Sequence, residues 1–396
     1  MNENFDLDIR RGEENEYEYK GTKLILVFEG TDATHYLMNT LRQVIYREIP
    51  TYAFSKAEMN INKNTSVFDN NYMRTRLCMI PIPKTKCPIE FLDPTFYPYV
   101  AGPTETVKPE HPTKYQKSKD DTSDIYLYVN SKNETDEKMN VTTNDAKIII
   151  DGKEINNIYN KKIPLLLIKL KKNQEFVGSM KAVVGIQKLH DCWACVSQAY
   201  FGKMDVNKYV FILRSLGQIT EWEILISACN VLIIKFTKLK ESLMNKFDKK
   251  NDEATTSIII IIEKEGHMIG NILACTLYKH KKILFSGYKV DHPLEQSVTL
   301  KLVTNSEYSV MKALFEGIDN IIALFKFIKT QFKKAEKNKF TQNKRLEEIK
   351  RVIKLDHQLK INKTDNKILE TPIKGKLETI KEEKPKKVKS HSKNKK

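Results

Sequence analysis

HYLMNTLRQVIYR at residues 35–47 and HMIGNILACTLYK at residues 267–279 are two copies of one pattern, 232 positions apart (267 less 35). His35/His267, Asn39/Asn271, Leu41/Leu273 and Tyr46/Tyr278 are identical, and Leu37/Ile269, Ile45/Leu277 and Arg47/Lys279 are close substitutions. Leu37, Leu41 and Ile45, and again Ile269, Leu273 and Leu277, recur at the spacing of one helix face, so each copy predicts an amphipathic helix. An apolar, β-like run precedes each helix, Lys23–Phe28 in the first copy and Ile258–Ile262 in the second. A repeat of this kind makes the chain two related units.

Each unit also closes on a long amphipathic helix. Trp222, Leu225, Cys229, Leu232, Phe236, Leu239, Leu243 and Phe247 step by three or four residues, and Thr220 with Glu223 has the pattern of a capping box. Val310, Leu314, Ile318, Ile321, Phe325, Ile328 and Phe332 do the same in the second unit. Stripes this regular need an apolar partner. They can bury against each other as a pseudo-twofold pair, or each against its own sheet, and a share of both is expected.

In the second unit only Lys281–Ser309 separates the first helix from the last. In the first unit the gap is far longer, which predicts a domain inserted between Thr51 and Gly185. Within it Ile125–Val129, Lys147–Asp151, Pro164–Leu170 and Ser179–Val184 read as strands, and Cys87–Asp121, rich in Pro, Lys and Thr, as irregular. The expected fold is α+β. Two modules, each a sheet with two helices, form an intramolecular pseudo-dimer, and the first carries a mostly β inserted domain. The boundaries are 17–50 and 186–247 for the first module, 51–185 for the insertion, 248–256 for a linker and 257–332 for the second module. Residues 333–396 read as a basic, largely disordered tail, with helical spacing over Gln342–Leu359.

The formal net charge of +17 belongs mostly to that tail. Residues 333–396 hold 22 Lys plus Arg and 9 Asp plus Glu, +13 in all, which leaves +4 for the other 332 residues. A nucleic-acid-reading fold carries its basic patch on the folded body, so the charge argues against one here. The apolar runs Ile258–Ile262 and Ile163–Ile168 fall far short of the ~20 residues that cross a bilayer, and no N-terminal stretch has the sections of a signal peptide. A soluble, intracellular chain without membrane contact and with reduced cysteines is expected.

NTLRQVIYREIPTYAF (residues 39–54), NTSVFDNNYMRTRLCMIPI (residues 64–82) and LKKNQEFVGSMKAVVGIQKLHDCWA (residues 170–194) together resemble the alpha-type subunit of archaeal and eukaryotic RNA polymerases, the third-largest subunit of eukaryotic RNA polymerase II. EGHMIGNIL (residues 265–273) and FSGYKVDHPLE (residues 285–295) resemble its small alpha-like partner, the eleventh subunit. The motifs stand in family order and cover most of Lys23–Phe332. In cells the two are usually separate chains; one fused chain, rich in Asn, Ile and Lys, resembles the arrangement in large nucleocytoplasmic DNA viruses.

The resemblance implies that the helix bearing Asn39, Leu41 and Arg42 packs at the dimerisation interface and presents part of a docking surface for a large subunit. Gln43 stands where relatives carry a second basic residue. The same interface would include Gly270, Asn271 and Leu273, and the long-helix residues Leu232, Phe236, Ile321 and Phe325. Asn39 and Asn271 sit mid-helix, where Asn has poor propensity, and either bond backbone at the crossing or lie exposed. Gly270, without a Cβ, allows close helix approach. Pro293 is expected to end a strand at an edge turn, and Trp193 to fill a core between sheet and helix.

Cys192 and Cys195 form a CxxC pair, but DCWACVSQAY reads as strand rather than a helix opening, and there is no second pair to complete four zinc ligands. His190 supplies at most a third ligand. Relatives carry a zinc loop in the inserted domain; Cys87 is the only cysteine in Lys84–Asp121, so loss of that site is expected. No Asp-rich magnesium motif and no Gly-rich phosphate loop occurs, which predicts no catalytic residue, no metal and no cofactor.

The function implied is a non-catalytic assembly platform that nucleates the two large catalytic polymerase subunits and contacts small ones. DNA and RNA are reached through the complex, and weakly through the tail. The alternative is a free-standing nucleic-acid-binding protein acting through its basic tail. The place of action would be the host cytoplasm and virion for a viral protein, and the nucleus for a cellular one.

Overall fold

The computed structural model describes residues 5–11, 15–16, 22–92, 123–156, 158–247, 256–292, 297–305 and 308–337. The first half opens with β1 (Asp8–Arg11), β2 (Asn15–Glu16) and β3 (Thr22–Glu29), followed by α1 (His35–Arg47). The insertion holds β4 (Thr51–Asn64), α2 (Asn70–Leu77), β5 (Ile125–Lys132), β6 (Met139–Thr142), β7 (Ala146–Ile150), β8 (Lys153–Glu154), β9 (Leu166–Leu170) and β10 (Glu175–Gly185). The first half resumes with β11 (Val196–Asp205), β12 (Lys208–Ser215) and α3 (Glu221–Lys246). The second half is β13 (Ser257–Glu263), α4 (His267–Tyr278), β14 (Ile283–Lys289), β15 (Ser297–Thr304) and α5 (Val310–Lys337).

Both halves follow one plan: strand, helix, antiparallel strands, long helix. The first sheet runs β1-β3-β12-β11 with β2 also on β3, and the second runs β13-β15-β14. Alternation directs each sheet inward. Leu24, Leu26 and Phe28 of β3 are buried beside Phe211 and Leu213 of β12, while the residues between them are partly exposed or contact the other side. In the first half the helices start where side chains satisfy the first free amides: Thr34 Oγ1 accepts from Leu37 N at 3.4 Å, and Thr220 and Glu223 form a reciprocal capping box. The first residues of the repeat play matching parts. His35 stands edge-on to Phe201 of β11 at 5.3 Å, and His267 edge-on to Tyr288 of β14 at 6.0 Å.

One hydrophobic core joins the halves. Leu41, Leu232 and Phe236 from the first and Leu273, Ile321 and Phe325 from the second are all fully buried in it. The insertion has its own core, built on the sheet β4-β10-β5-β7-β8 and the pair β6-β9, with Phe54, Leu127, Leu170 and Phe176 inside. Two of its elements escape a pattern reading. β4 buries four residues in a row at its start, and beyond them only Met59 is buried and Ile61 partly so, between polar neighbours, so its alternation is confined to a short stretch; as an edge strand it keeps charged and amide side chains in water. α2 is short and polar, held by Asp69, whose carboxylate accepts from Tyr72 N at 2.6 Å.

At the neck, Gln218 ties the two cores together. Its amide nitrogen donates to Tyr52 O (2.8 Å) and Ile82 O (3.1 Å), and its oxygen accepts from Tyr52 N (2.9 Å). Trp193 also sits here, between Ala53 of β4 and Val183 of β10, and not between sheet and helix as expected. Its indole N–H donates to Val183 O at 3.0 Å, an acceptor that only this strand junction offers.

Other departures are local. Cys192 lies in a 3-10 turn, Asp191–Trp193, and not in a strand, because His190 caps that turn by accepting from Cys192 N at 3.1 Å. α5 continues through Lys333 to Lys337, past the expected start of the tail, since Ala335 prolongs the buried stripe by a turn beyond Phe332. Pro293, most of Cys87–Asp121, the linker over 248–255 and the helix expected over Gln342–Leu359 lie outside the described residues. Among the described residues no helix is long and apolar enough to cross a membrane.

Candidate assembly interface

The long helices are pseudo-equivalent. α3 begins at Glu221 and α5 at Val310, 89 positions later, and this offset aligns the stripes residue by residue: Leu225 with Leu314, Cys229 with Ile318, Leu232 with Ile321, Phe236 with Phe325, Leu243 with Phe332. The structure brings the middle of these pairs together. The rings of Phe236 and Phe325 stack with centroids 6.5 Å apart and planes inclined by 18°. Leu232 and Ile321 are fully buried in the same core. α1 and α4 flank the long helices and place Leu41 and Leu273 beneath them.

The repeat's polar residues take other roles than expected. Among the described residues neither Asn39 nor Asn271 bonds backbone at a crossing. Asn39 Oδ1 accepts from Arg42 Nη2 at 2.8 Å, and Asn271 Oδ1 pairs with Cys275 Sγ at 3.4 Å, each a turn along its own helix, where i and i+3 or i+4 side chains meet. Gly270 lets α4 settle on its sheet rather than on a helix: a Cβ there would lie 2.5 Å from Tyr288 and 2.8 Å from Val298. Close helix approach falls instead at Gly317 of α5, where a Cβ would lie 2.3 Å from the Leu277 side chain of α4.

Ion pairs cross between the halves. Lys235 of α3 is almost enclosed; its Nζ lies 2.8 Å and 2.9 Å from the carboxylate oxygens of Glu48, which caps α1, and 3.1 Å from Glu265, which leads into α4. Burial opposes the Lys235 charge, but Glu48 and Glu265 outweigh it and raise its pKa above the usual 10.5. Glu265 is raised too, by burial first, with Lys235 drawing it down and Glu48 pushing it up. Two carboxylates thus share one ammonium, which holds Lys235 protonated. The sequence does carry a signal for this site: Lys235 is the one charge in VLIIKF at 231–236. Around the rim, Lys240 meets Asp319 at 2.7 Å and Lys279 meets Asp32 at 3.1 Å.

The cysteines are free thiols, Cys78, Cys195 and Cys229 buried and Cys87, Cys192 and Cys275 partly so. Burial pushes Cys192 and Cys195 each up to about 12. Among the described residues no three His, Cys, Asp or Glu side chains gather as around a metal ion. Large apolar side chains stand exposed elsewhere. Ile259 and Ile261 of β13 and Phe285 of β14 share the outer face of the second sheet with Lys301, beside Leu284. Val67, Phe68, Tyr72 and Met79 stand out around α2, the rings of Phe68 and Tyr72 stacked at 4.6 Å.

Family comparison accounts for both halves. Residues 26–236 match a family model described as the RNA polymerase Rpb3/Rpb11 dimerisation domain, and residues 257–331 match a second model of the same description. A DNA-directed RNA polymerase subunit of Acanthamoeba polyphaga mimivirus is 27% identical over 322 residues, 77% of this chain and 88% of that protein. The RNA polymerase II subunit RPB11 of Schizosaccharomyces pombe is 31% identical over 87 residues, 22% of this chain and 68% of its own length.

Proposed function

The chain belongs to the RNA polymerase Rpb3/Rpb11 dimerisation-domain family and is a non-catalytic assembly subunit of a DNA-directed RNA polymerase, and from that premise we propose that its two halves form one platform on which both large catalytic subunits are built. The observation that carries the reading is the single core shared by the halves, centred on the Phe236–Phe325 stack. A platform made this way is complete before any partner arrives. Leu41, Leu232, Phe236, Leu273, Ile321 and Phe325 would hold the halves together, with Gly270 seating α4 and the Asn39–Arg42 and Asn271–Cys275 pairs trimming the two repeat helices.

The exposed apolar faces suit large partners, since monomers rarely leave such clusters in water. The outer face of the second sheet, with Ile259, Ile261 and Phe285, would take one large subunit, and the surface around Phe68 and Tyr72 another polymerase subunit. The division of the chain at 51–185 and 248–256 follows the same reading, as does action in the host cytoplasm and virion, which the mimivirus likeness supports. Purifying the tagged chain from its native source tests it. Co-elution with two large polypeptides and nucleotide-addition activity is expected. Elution of the chain apart from that activity would overturn the proposal.

A further inference from the structure

The pseudo-twofold relation between the long helices has one break. The 89-residue offset that pairs Phe236 with Phe325 also pairs Lys240 with Lys329 and Asn230 with Asp319. On one side of the axis Lys240 is neutralised by Asp319 at 2.7 Å. On the other side the equivalent positions hold Lys329 and Asn230, and an amide cannot neutralise an ammonium. Among the described residues the cation is left over there, and it is not alone. Lys326, Lys329 and Lys333 follow one another along the same flank of α5 and line a cleft of about 420 Å³ between α5 and α3. Their pseudo-equivalents on α3 are Thr237, Lys240 and Met244, so two of the three cations are additions to this side alone.

The floor of the cleft is apolar, formed by Ile233 and Ile234 of α3. Its far wall is a segment of the insertion that follows α2, fastened across α3: Glu90 Oε1 accepts from Asn230 Nδ2 at 3.1 Å, and Lys238 lies 4.3 Å from the centre of the Phe91 ring. Among the described residues, Lys326, Lys329 and Lys333 form no ion pair with a carboxylate.

We propose that this cleft binds an acidic, extended peptide segment of another protein. Three ammonium groups on one wall recognise carboxylates, and the isoleucine floor receives an apolar side chain between them. Glu90 then decides between classes of anion. It can accept a backbone N–H from a peptide, whereas it repels a phosphodiester backbone, which has no amide to offer. The chain's own tail beyond α5 is excluded by sign, since residues 338–396 hold 19 Lys plus Arg and 8 Asp plus Glu, +11.

The test uses the full chain and a fluorescent short peptide of alternating glutamate and leucine. A version with glutamine for glutamate, a single-stranded oligonucleotide and inorganic phosphate serve as competitors. The Lys326→Gln, Lys329→Gln, Lys333→Gln triple variant keeps the tail, so any attraction of the tail for the peptide is common to both proteins. Expected is saturable binding at one peptide per chain that weakens with salt and falls roughly ten-fold or more in the triple variant. Lys240→Gln, on the other side of the axis, should leave it unchanged. Unfolding midpoints within a degree or two of the parent would show that the triple variant is folded. Equal affinity of parent and triple variant overturns the proposal, as does no saturable binding. Displacement of the peptide by oligonucleotide or phosphate from the lysine-dependent site also overturns it, in favour of a phosphate site.

Discussion

At the scale of single residues, the junction of the halves turns on Lys235 and two carboxylates from different elements. Lys235→Met would leave Glu48 and Glu265 buried without their cation, and removal of one partner from a buried set costs about 3–5 kcal/mol. Urea unfolding at pH 7 is expected to read a loss of that order. The pH dependence follows from the shifts. Lys235 is raised, so its contribution is complete below the unfolded value of 10.5 and fades as pH climbs through the higher folded value. Glu265 is also raised, so acid protonates it early and relieves the variant; the gap between parent and Lys235→Met should narrow from pH 7 towards pH 5. A gap that widens on acidification would contradict this assignment of charges. Gly185 offers a second case. A Cβ there would stand 2.3 to 2.7 Å from three atoms of the rigid Trp193 indole, which is anchored through its N–H to Val183 O. Gly185→Ala should expel the ring from the neck, and red-shifted tryptophan emission with a destabilisation of about 1–3 kcal/mol is the expected reading.

At the scale of elements, α3 and α5 were legible and β4 and α2 were not. The long helices announce themselves because an unbroken stripe of Leu, Ile and Phe at intervals of three and four has one physical use. Leu232→Asp or Ile321→Asp places a carboxylate where the native side chain is fully buried. Such a charge costs several kcal/mol, comparable with the stability of a domain. Each variant should therefore lose co-purification with the large subunits. Lys240→Ala, which removes a half-exposed ion pair worth at most about 1 kcal/mol, should retain it. Retention by both Asp variants would show that the stripes do not hold the platform together. β4 had no such signature. Its first four residues are buried in a row against the neck, and along the remainder at the sheet edge only Met59 and Ile61 face the core between polar neighbours, too short an alternation to stand out.

For the whole molecule, one core through both halves means that covalent linkage raises their effective concentration but does not create their contact. A protease site placed within residues 248–255 and then cut should leave the two fragments co-eluting at micromolar concentration, with Phe236 and Phe325 still stacked between them. Separation of the fragments would show that the link, and not the shared core, holds the halves together. Unfolding of the uncut chain should have a midpoint independent of protein concentration, as expected when both partners of an interface lie in one chain.

The repeat at 35–47 and 267–279, the two stripes and the placement of charge in the tail were all present in the chain's order of residues. They determined two related α+β units with an insertion and no catalytic apparatus, because periodicity and composition are properties of neighbours in sequence. Side-chain partnership is a property of neighbours in space. That Gly270 serves a sheet and Gly317 a helix, and that Trp193 fills the neck, depended on which strands and helices came together. The same holds for Glu48, Lys235 and Glu265, which meet within 3.1 Å from 187 and 30 positions apart along the chain (235 less 48, 265 less 235). Tertiary structure alone decided these, since the low dielectric that makes such a meeting matter exists only once the core has closed around it.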